Sequence, residues 1–280
     1  MDWIIEPFQY AFMKKALLGI ILASINCSFI GAYVILRRMS FLGEALTHTL
    51  LPGIVFAYLR GFHVFIGAFL ASIFTAIGIG VLSSRKDIRQ DTAIGVMLSF
   101  MFALGVLMMS YIRSFRDFSG ILFGSILGIT TGDLLLSGVI TLIVISTLYF
   151  FHKELELNSV DPNYGESIGI RSNVMRYMLL ILIAMSVVTA VQMIGALLTT
   201  ALIIIPAATG TLLSEKLSRV MIISATIALI SGIFGLYLSY YFQVTCGGII
   251  VMNCSIFFLI SSLGRNQWNK RKKHKRQINV

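Results

Sequence analysis

YMLLILIAMSVVTAVQMIGALLTTALIIIPAATGTLLS, residues 177–214, runs without a single charged side chain. At about 1.5 Å of rise per helical residue, roughly 20 residues cross the hydrocarbon of a bilayer, so this run is long enough to cross twice. Its natural solvent is lipid. Further charge-free runs occupy 16–36, 64–82, 92–112, 134–151 and 220–264, the last again long enough for two helices. With the apolar stretch 41–59 added, the sequence predicts an all-α membrane protein, a polytopic bundle of about nine transmembrane helices.

Composition agrees with this reading. Hydrophobic residues make up 57% of the 280 positions and charged residues 12%, more apolar surface than one water-soluble core can hide. The net charge of +10 is concentrated in a C-terminal run, Arg265 and Lys270 to Arg276. Beside a membrane span, that run reads as a cytoplasmic anchor facing anionic lipid, not as a nucleic-acid site. With the tail inside and nine spans, seventeen of the 22 Lys and Arg fall on the cytoplasmic side, the asymmetry of the positive-inside rule. The N-terminus is therefore expected outside. Residues 1–264 are expected to form one transmembrane domain, and 265–280 a basic tail.

Residues 1–15 lack a small-residue cleavage site and read as a short amphipathic segment at the interface. Cys27, Cys246 and Cys254 are too scattered for a zinc cluster or a disulfide framework and read as packing residues. The segment DFSGILFGSILGITT, 117–131, is apolar but too short to span, and suits a re-entrant or broken helix. There is no G-x-x-x-x-G-K-[ST] loop, so ATP hydrolysis would have to come from another polypeptide.

Two ionisable side chains stand inside the predicted spans, Glu44 and His48, in GEALTHTLLPG. A charged side chain at the centre of a membrane helix costs about 2.5–3.5 kcal/mol on insertion scales, which makes such a residue a functional candidate. Four residues apart, the two share a helix face, so carboxylate oxygen and imidazole nitrogen can converge on one ion. Oxygen plus nitrogen donors suit manganese, iron or zinc, whereas calcium and magnesium sites are richer in oxygen. Two donors do not hold a transition metal alone, but a second copy of the chain would double them. The competing reading pairs Glu44 with Arg38 and leaves His48 as a hydrogen-bonded interior residue. Pro52 and Gly53 would interrupt the helix and free carbonyl groups beside the pair.

Two further segments stand out. GALLTTALIIIPAATG, 195–210, carries Thr199, Thr200 and Pro206 among small residues and reads as a closely packed membrane helix. In DPNYGESIGIR, 161–171, Asp161 and Pro162 mark a helix start, and Gly165, Glu166, Ser167 and Gly169 complete a short helix.

VILRRMSFLGEALTHTLLPGI, 34–54, resembles the LRRMSLIGDALSHAVLPG pattern of the metal-importing ABC permeases, the ABC-3 type membrane subunits of bacterial manganese, zinc and iron uptake systems. VQMIGALLTTALIIIPAATGTLL, 191–213, resembles a second block of that family, and the likeness extends over nearly the whole chain. The resemblance implies a type II-like importer permease in the plasma membrane, working as two permeases with two ATPases and fed by an extracytoplasmic metal-binding protein. It places Glu44 and His48 at the intramembrane metal site, with Glu44 where the family usually has Asp. It also implies that the helix around GESIGI docks into the ATPase subunit. No permanently bound cofactor is implied, only the transported ion.

Three other classes compete. A secondary carrier or channel would call for a path of further intramembrane charges. An intramembrane metalloenzyme would call for a third ligand and a spare base, which E-x-x-x-H does not supply. A permease for metal chelates would need no ligand pair at its centre.

Overall fold

In hydrocarbon no water is available to backbone N–H and C=O groups, so a chain of this composition can satisfy them only within helices or a closed barrel. The computed structural model describes residues 10–85, 87–110 and 128–278, with 266–278 as backbone alone. Among the described residues it is helical, with no strand. The elements are α1 (Ala11–Leu36), α2 (Phe41–Thr49), α3 (Leu51–Arg60), α4 (Val64–Leu82), α5 (Gln90–Ser110) and α6 (Thr131–Phe150). They continue as α7 (His152–Val160), α8 (Pro162–Ser167), α9 (Ser172–Ile194), α10 (Ala196–Leu213), α11 (Leu217–Phe242) and α12 (Cys246–Ile278).

Among the described residues, nine helices are long and apolar enough to cross a membrane, with α2 and α3 counted as one broken span. Both long charge-free runs divide in two, as expected. The first divides at Gly195, whose φ of 84° and ψ of 164° suit a residue without a Cβ and reverse the chain between α9 and α10. The second divides after Phe242, where Gln243 takes the left-handed conformation at φ 52° and Ser239 Oγ donates to the Val244 carbonyl at 2.6 Å.

Several long-range contacts mark the two ends of the bundle, as alternating crossings require. At one end Gln192 donates to Asp133 at 2.7 Å, and the Tyr10 ring lies tilted against that of Tyr240. At the opposite end Arg176 donates to the Ser83 carbonyl at 3.3 Å, Arg265 donates to the Thr211 carbonyl at 3.2 Å, and Tyr33 bonds His152. The turn 37–40, the helices α7 and α8, and the chain following Arg265 therefore share one end.

α1, α9 and the broken span α2–α3 are the most enclosed, and α1 and α9 are joined by a buried polar contact, Ser186 Oγ to Asn26 Oδ1 at 2.9 Å. α5, α6 and α12 lie at the periphery and turn large apolar side chains such as Leu107, Leu142 and Ile260 outward. Lipid is the medium that accepts such a surface. The basic segment beyond Gly264 does not begin a separate element. The backbone of α12 carries on to Ile278, since the Lys-, Arg- and Gln-rich run contains good helix formers and no Pro or Gly.

Of the expected interfacial segment 1–15, residues 1–9 lie outside the described residues, while Lys14 and Lys15 belong to the opening turns of α1 itself. Most of the expected re-entrant piece, through residue 127, also lies outside them. Its last residues start α6, where Thr130 and Asp133 form a reciprocal capping box. The three cysteines are free: Cys27 and Cys254 are buried and Cys246 is partly so.

Small residues set the closest crossings. Gly53 and Gly67 bring α3 and α4 together so tightly that a Cβ on either would run into the other's carbonyl oxygen, with Ala57 and Ala71 one turn along. Gly31 of α1 lies in the same way against the carbonyl of Ile203 in α10. Gly95, on α5, has open space around it. Gly53→Val should therefore lower stability in detergent by about 1–3 kcal/mol through overpacking, whereas Gly95→Ala should change it by less than about 0.5 kcal/mol. Thermal melting of the two purified variants checks this, and equal shifts would contradict the crossing.

Candidate metal centre

α1 ends in a Schellman motif, with Met39 N–H bonded to the Val34 carbonyl and Arg38 N–H to that of Ile35. Arg38, not glycine, holds the left-handed position at φ 57°, a conformation that costs an L-residue about 1–2 kcal/mol. This turn delivers the chain into α2 within four residues. α2 is seated by Gly43 on the Ile203 side chain of α10, 3.6 Å from where a Cβ would stand.

Glu44 lies in the first turn of α2 and His48 in its last. Across the 20-residue broken span, His48 stands about a third of the way through. Glu44 is exposed on the surface of the single chain and His48 is half-buried. The imidazole meets the ring of Phe102 on α5 edge-on, at 5.9 Å and 83°. Among the described residues no ion pair or side-chain hydrogen bond engages the Glu44 carboxylate, and Arg38 does not reach it. The nearby hydroxyls of Thr47 and Thr49 turn back to the carbonyls of Glu44 and Leu46.

The interruption expected at Pro52 and Gly53 is present, and the helix breaks at Leu50 between α2 and α3. Pro52 has no N–H to give to the carbonyl four residues earlier, which is that of His48. The His48 carbonyl instead accepts the N–H of Leu50, at the break itself. Gly105 of α5 makes room for the break, since a Cβ there would come within 2.8 Å of Leu51 and 3.1 Å of the Pro52 ring. Among the described residues, no group of three or more His, Cys, Asp or Glu side chains comes together to hold a metal ion. One chain thus presents one carboxylate and one imidazole on an open helix face.

Thr199 and Pro206 are buried within α10, while Thr200 is partly exposed. Thr199 Oγ1 donates to the Gly195 carbonyl at 2.7 Å and Thr200 Oγ1 to that of Leu197 at 2.9 Å, so both hydroxyls are satisfied within their own helix. The structure does not bring these three residues into one group with Glu44 and His48; α10 backs α2 through Ile203.

At the end of the bundle shared with the 37–40 turn, α8 is a single short helix. Asp161 caps it by accepting from the N–H groups of Asn163 and Tyr164 at 3.0 and 3.1 Å, and Pro162 occupies its first turn. Gly169 at φ 90° closes it with a second Schellman motif, Ile170 N–H to the Gly165 carbonyl and Gly169 N–H to that of Glu166. Gly165 is the one buried residue of α8. Glu166 and Ser167 are exposed, together with the apolar Tyr164 and Ile168.

Sequence reasoning passed over two features at this end. Arg37 is partly buried, and burial together with the nearby Arg176 charge lowers its pKa to about 10, still cationic at neutral pH. His152 bonds residues of two other helices. Neither stands out in a linear reading, because each depends on partners far along the chain.

A sequence model of the ABC 3 transport family matches residues 9–265. The chain belongs to that family. It is 38% identical over 255 residues to "Manganese transport system membrane protein MntC" of Listeria monocytogenes, covering 91% of each chain. It is 35% identical over 260 residues to "Probable iron transport system membrane protein" of Haemophilus influenzae, covering 93% of this chain and 96% of that one. Among solved structures it is similar to "PsaBC from Streptococcus pneumoniae in complex with Fab", at 33% identity and a TM-score of 0.81 over 92% of this chain and 94% of the other.

Proposed function

We propose that this chain is the membrane subunit of an ATP-driven importer that carries a divalent transition metal, manganese or iron foremost, into the cytoplasm, with Glu44 and His48 as its ligands. The observation that carries the ligand assignment is the pair itself, a carboxylate and an imidazole one turn apart on a membrane helix, with no ion pair or side-chain hydrogen bond to either among the described residues. Relatives across this family, named for manganese and for iron transport, support the choice of cargo. The mixed donor set fits zinc as well.

A second copy of the chain completes the site. Glu44 and the neighbouring Phe41 are exposed on the single chain, and two such faces meeting across a two-fold axis supply two carboxylates and two imidazoles. An open carboxylate in hydrocarbon is costly for one chain alone, so pairing of this face is the arrangement that removes the cost.

ATP hydrolysis belongs to a separate ATPase subunit. α8 is the element suited to dock it: capped at both ends, it presents Tyr164, Glu166, Ser167 and Ile168 away from the bundle. An extracytoplasmic metal-binding protein would deliver the ion at the opposite end. The distribution of Lys and Arg supports a cytoplasmic placement for α7, α8 and the basic C-terminal segment, with the N-terminus outside in a bacterial plasma membrane.

Two outcomes are expected. Glu44→Gln and His48→Ala should each lower cellular metal uptake to background while the melting temperature of the purified protein moves little, since neither side chain holds its own chain together; uptake at the unmodified rate in either variant would remove that residue from the site. In a chain freed of Cys27, Cys246 and Cys254, a membrane-impermeant thiol reagent applied to intact cells should label Lys14→Cys and spare Lys272→Cys. The reverse labelling pattern would invert the orientation.

A further inference from the structure

We infer that His152 is the positioning residue that ties the ATPase-docking helices to the helix leading into the metal centre, an inference that rests on the reading of α8 as the ATPase dock. α6 ends at Phe150, Phe151 (φ −105°, ψ 20°) bends the chain, and His152 opens α7. Both of its ring nitrogens are engaged. Nδ1 lies 2.7 Å from the hydroxyl of Tyr33, and Nε2 lies 2.8 Å from Ser218 Oγ. Tyr33 is fully buried near the end of α1, with its ring edge-on to the imidazole at 6.2 Å and 83°. Ser218 stands in the first turn of α11. Glu156, one turn further along α7, brings Oε2 to 3.6 Å from Nε2. A neutral imidazole carrying its proton on Nε2 accepts from Tyr33 and donates to Ser218, so one side chain joins α7, α1 and α11.

The other end of α7 is tied as well. Asn158 is buried, and its Oδ1 accepts from Ser172 Oγ at 2.6 Å at the start of α9. Between the two ties Leu155 is buried. α7 is therefore a strut fixed at both ends, from which α8 hangs through the single residue Asp161. Displacement of α8 reaches α9 through Asn158 and α1 through His152.

The α1 tie matters for transport. Just beyond Tyr33, α1 ends at Leu36, and the left-handed turn at Arg38 runs directly into α2 with Glu44 and His48. A groove of about 710 Å³ opens beside His152, lined by Phe29, Leu148, Tyr149 and Met221. Hydrogen bonds add direction to the close packing of α1 against α11 at this point, and packed helices joined by a few directional bonds can move as units.

The test uses the permease assembled with its ATPase in proteoliposomes. It reads Mn2+ imported per ATP hydrolysed, together with a cross-link from Glu166→Cys to the ATPase. His152→Ala should keep the cross-link, and ATP hydrolysis within about twofold, while Mn2+ per ATP falls about tenfold, the scale of losing two hydrogen bonds of about 0.7 kcal/mol each. Tyr33→Phe should lower it by a smaller factor and add nothing to His152→Ala in the double variant. His152→Gln, whose amide can accept from Tyr33 and donate to Ser218, should recover at least about half of it. Unchanged Mn2+ per ATP in His152→Ala, or loss of the cross-link in proportion to transport, overturns the inference. Should His152→Ala not assemble, Tyr33→Phe decides by the same criteria. A cross-link that never forms in the transporter with His152 intact is a separate outcome: it overturns the docking reading of α8, and this inference with it.

Discussion

The desolvation of two ionisable side chains on one membrane helix is the constraint on which the site depends. In hydrocarbon neither side chain could be hydrated, and the described residues give the Glu44 carboxylate no cation and no side-chain donor. On the proposed reading, that unmet demand is the ligand affinity. A pair satisfied internally, by Arg38 for instance, would have to release its partner before taking an ion. The surrounding elements keep the pair open without loosening it. Gly43 seats α2 on α10, Gly105 makes room for the break at Leu50, and Phe102 braces the imidazole edge-on.

The same economy governs the rest of the bundle. Many hydroxyls within the spans turn back to carbonyls of their own helices, as for Thr75, Thr189 and Ser255. Close crossings at Gly53 with Gly67, and at Gly31 with Ile203, supply contact where lipid provides no hydrophobic drive between helices. Directional polar bonds are concentrated instead at the bundle end that carries α7 and α8. There His152, Asn158 and Arg176 connect elements distant in sequence. On the proposed reading this is the end where movement must be transmitted, and directional bonds transmit it between discrete arrangements better than a smooth apolar interface does.

Much of this was legible in the sequence because membrane spans are long, apolar and charge-free, and the requirement for internal hydrogen bonding leaves few alternatives. The nine spans and the short helix from Pro162 follow from that constraint and from cap chemistry. The pair at Glu44 and His48 was visible through scarcity and spacing alone. The break fell at Leu50, ahead of Pro52, because a proline disturbs the turn preceding it. Less legible was Arg38, a large cation in a left-handed turn position where glycine is the usual occupant; only the tertiary requirement to turn α1 into α2 accounts for it. His152 was invisible, since its role exists only once Tyr33, Glu156 and Ser218 converge. The helical form of the basic C-terminal segment could not be read from its charge; its residues favour helix and prolong α12.

The central claim is that the imidazole of His48 binds the transported ion directly, in a site shared by two chains. Pulsed electron paramagnetic resonance of Mn2+ bound to the purified permease–ATPase assembly tests it most directly. The account predicts one ion per two permease chains, with nitrogen coupling from directly ligated imidazole that disappears in His48→Ala. Nitrogen coupling that persists in His48→Ala, or one ion per chain, would contradict it.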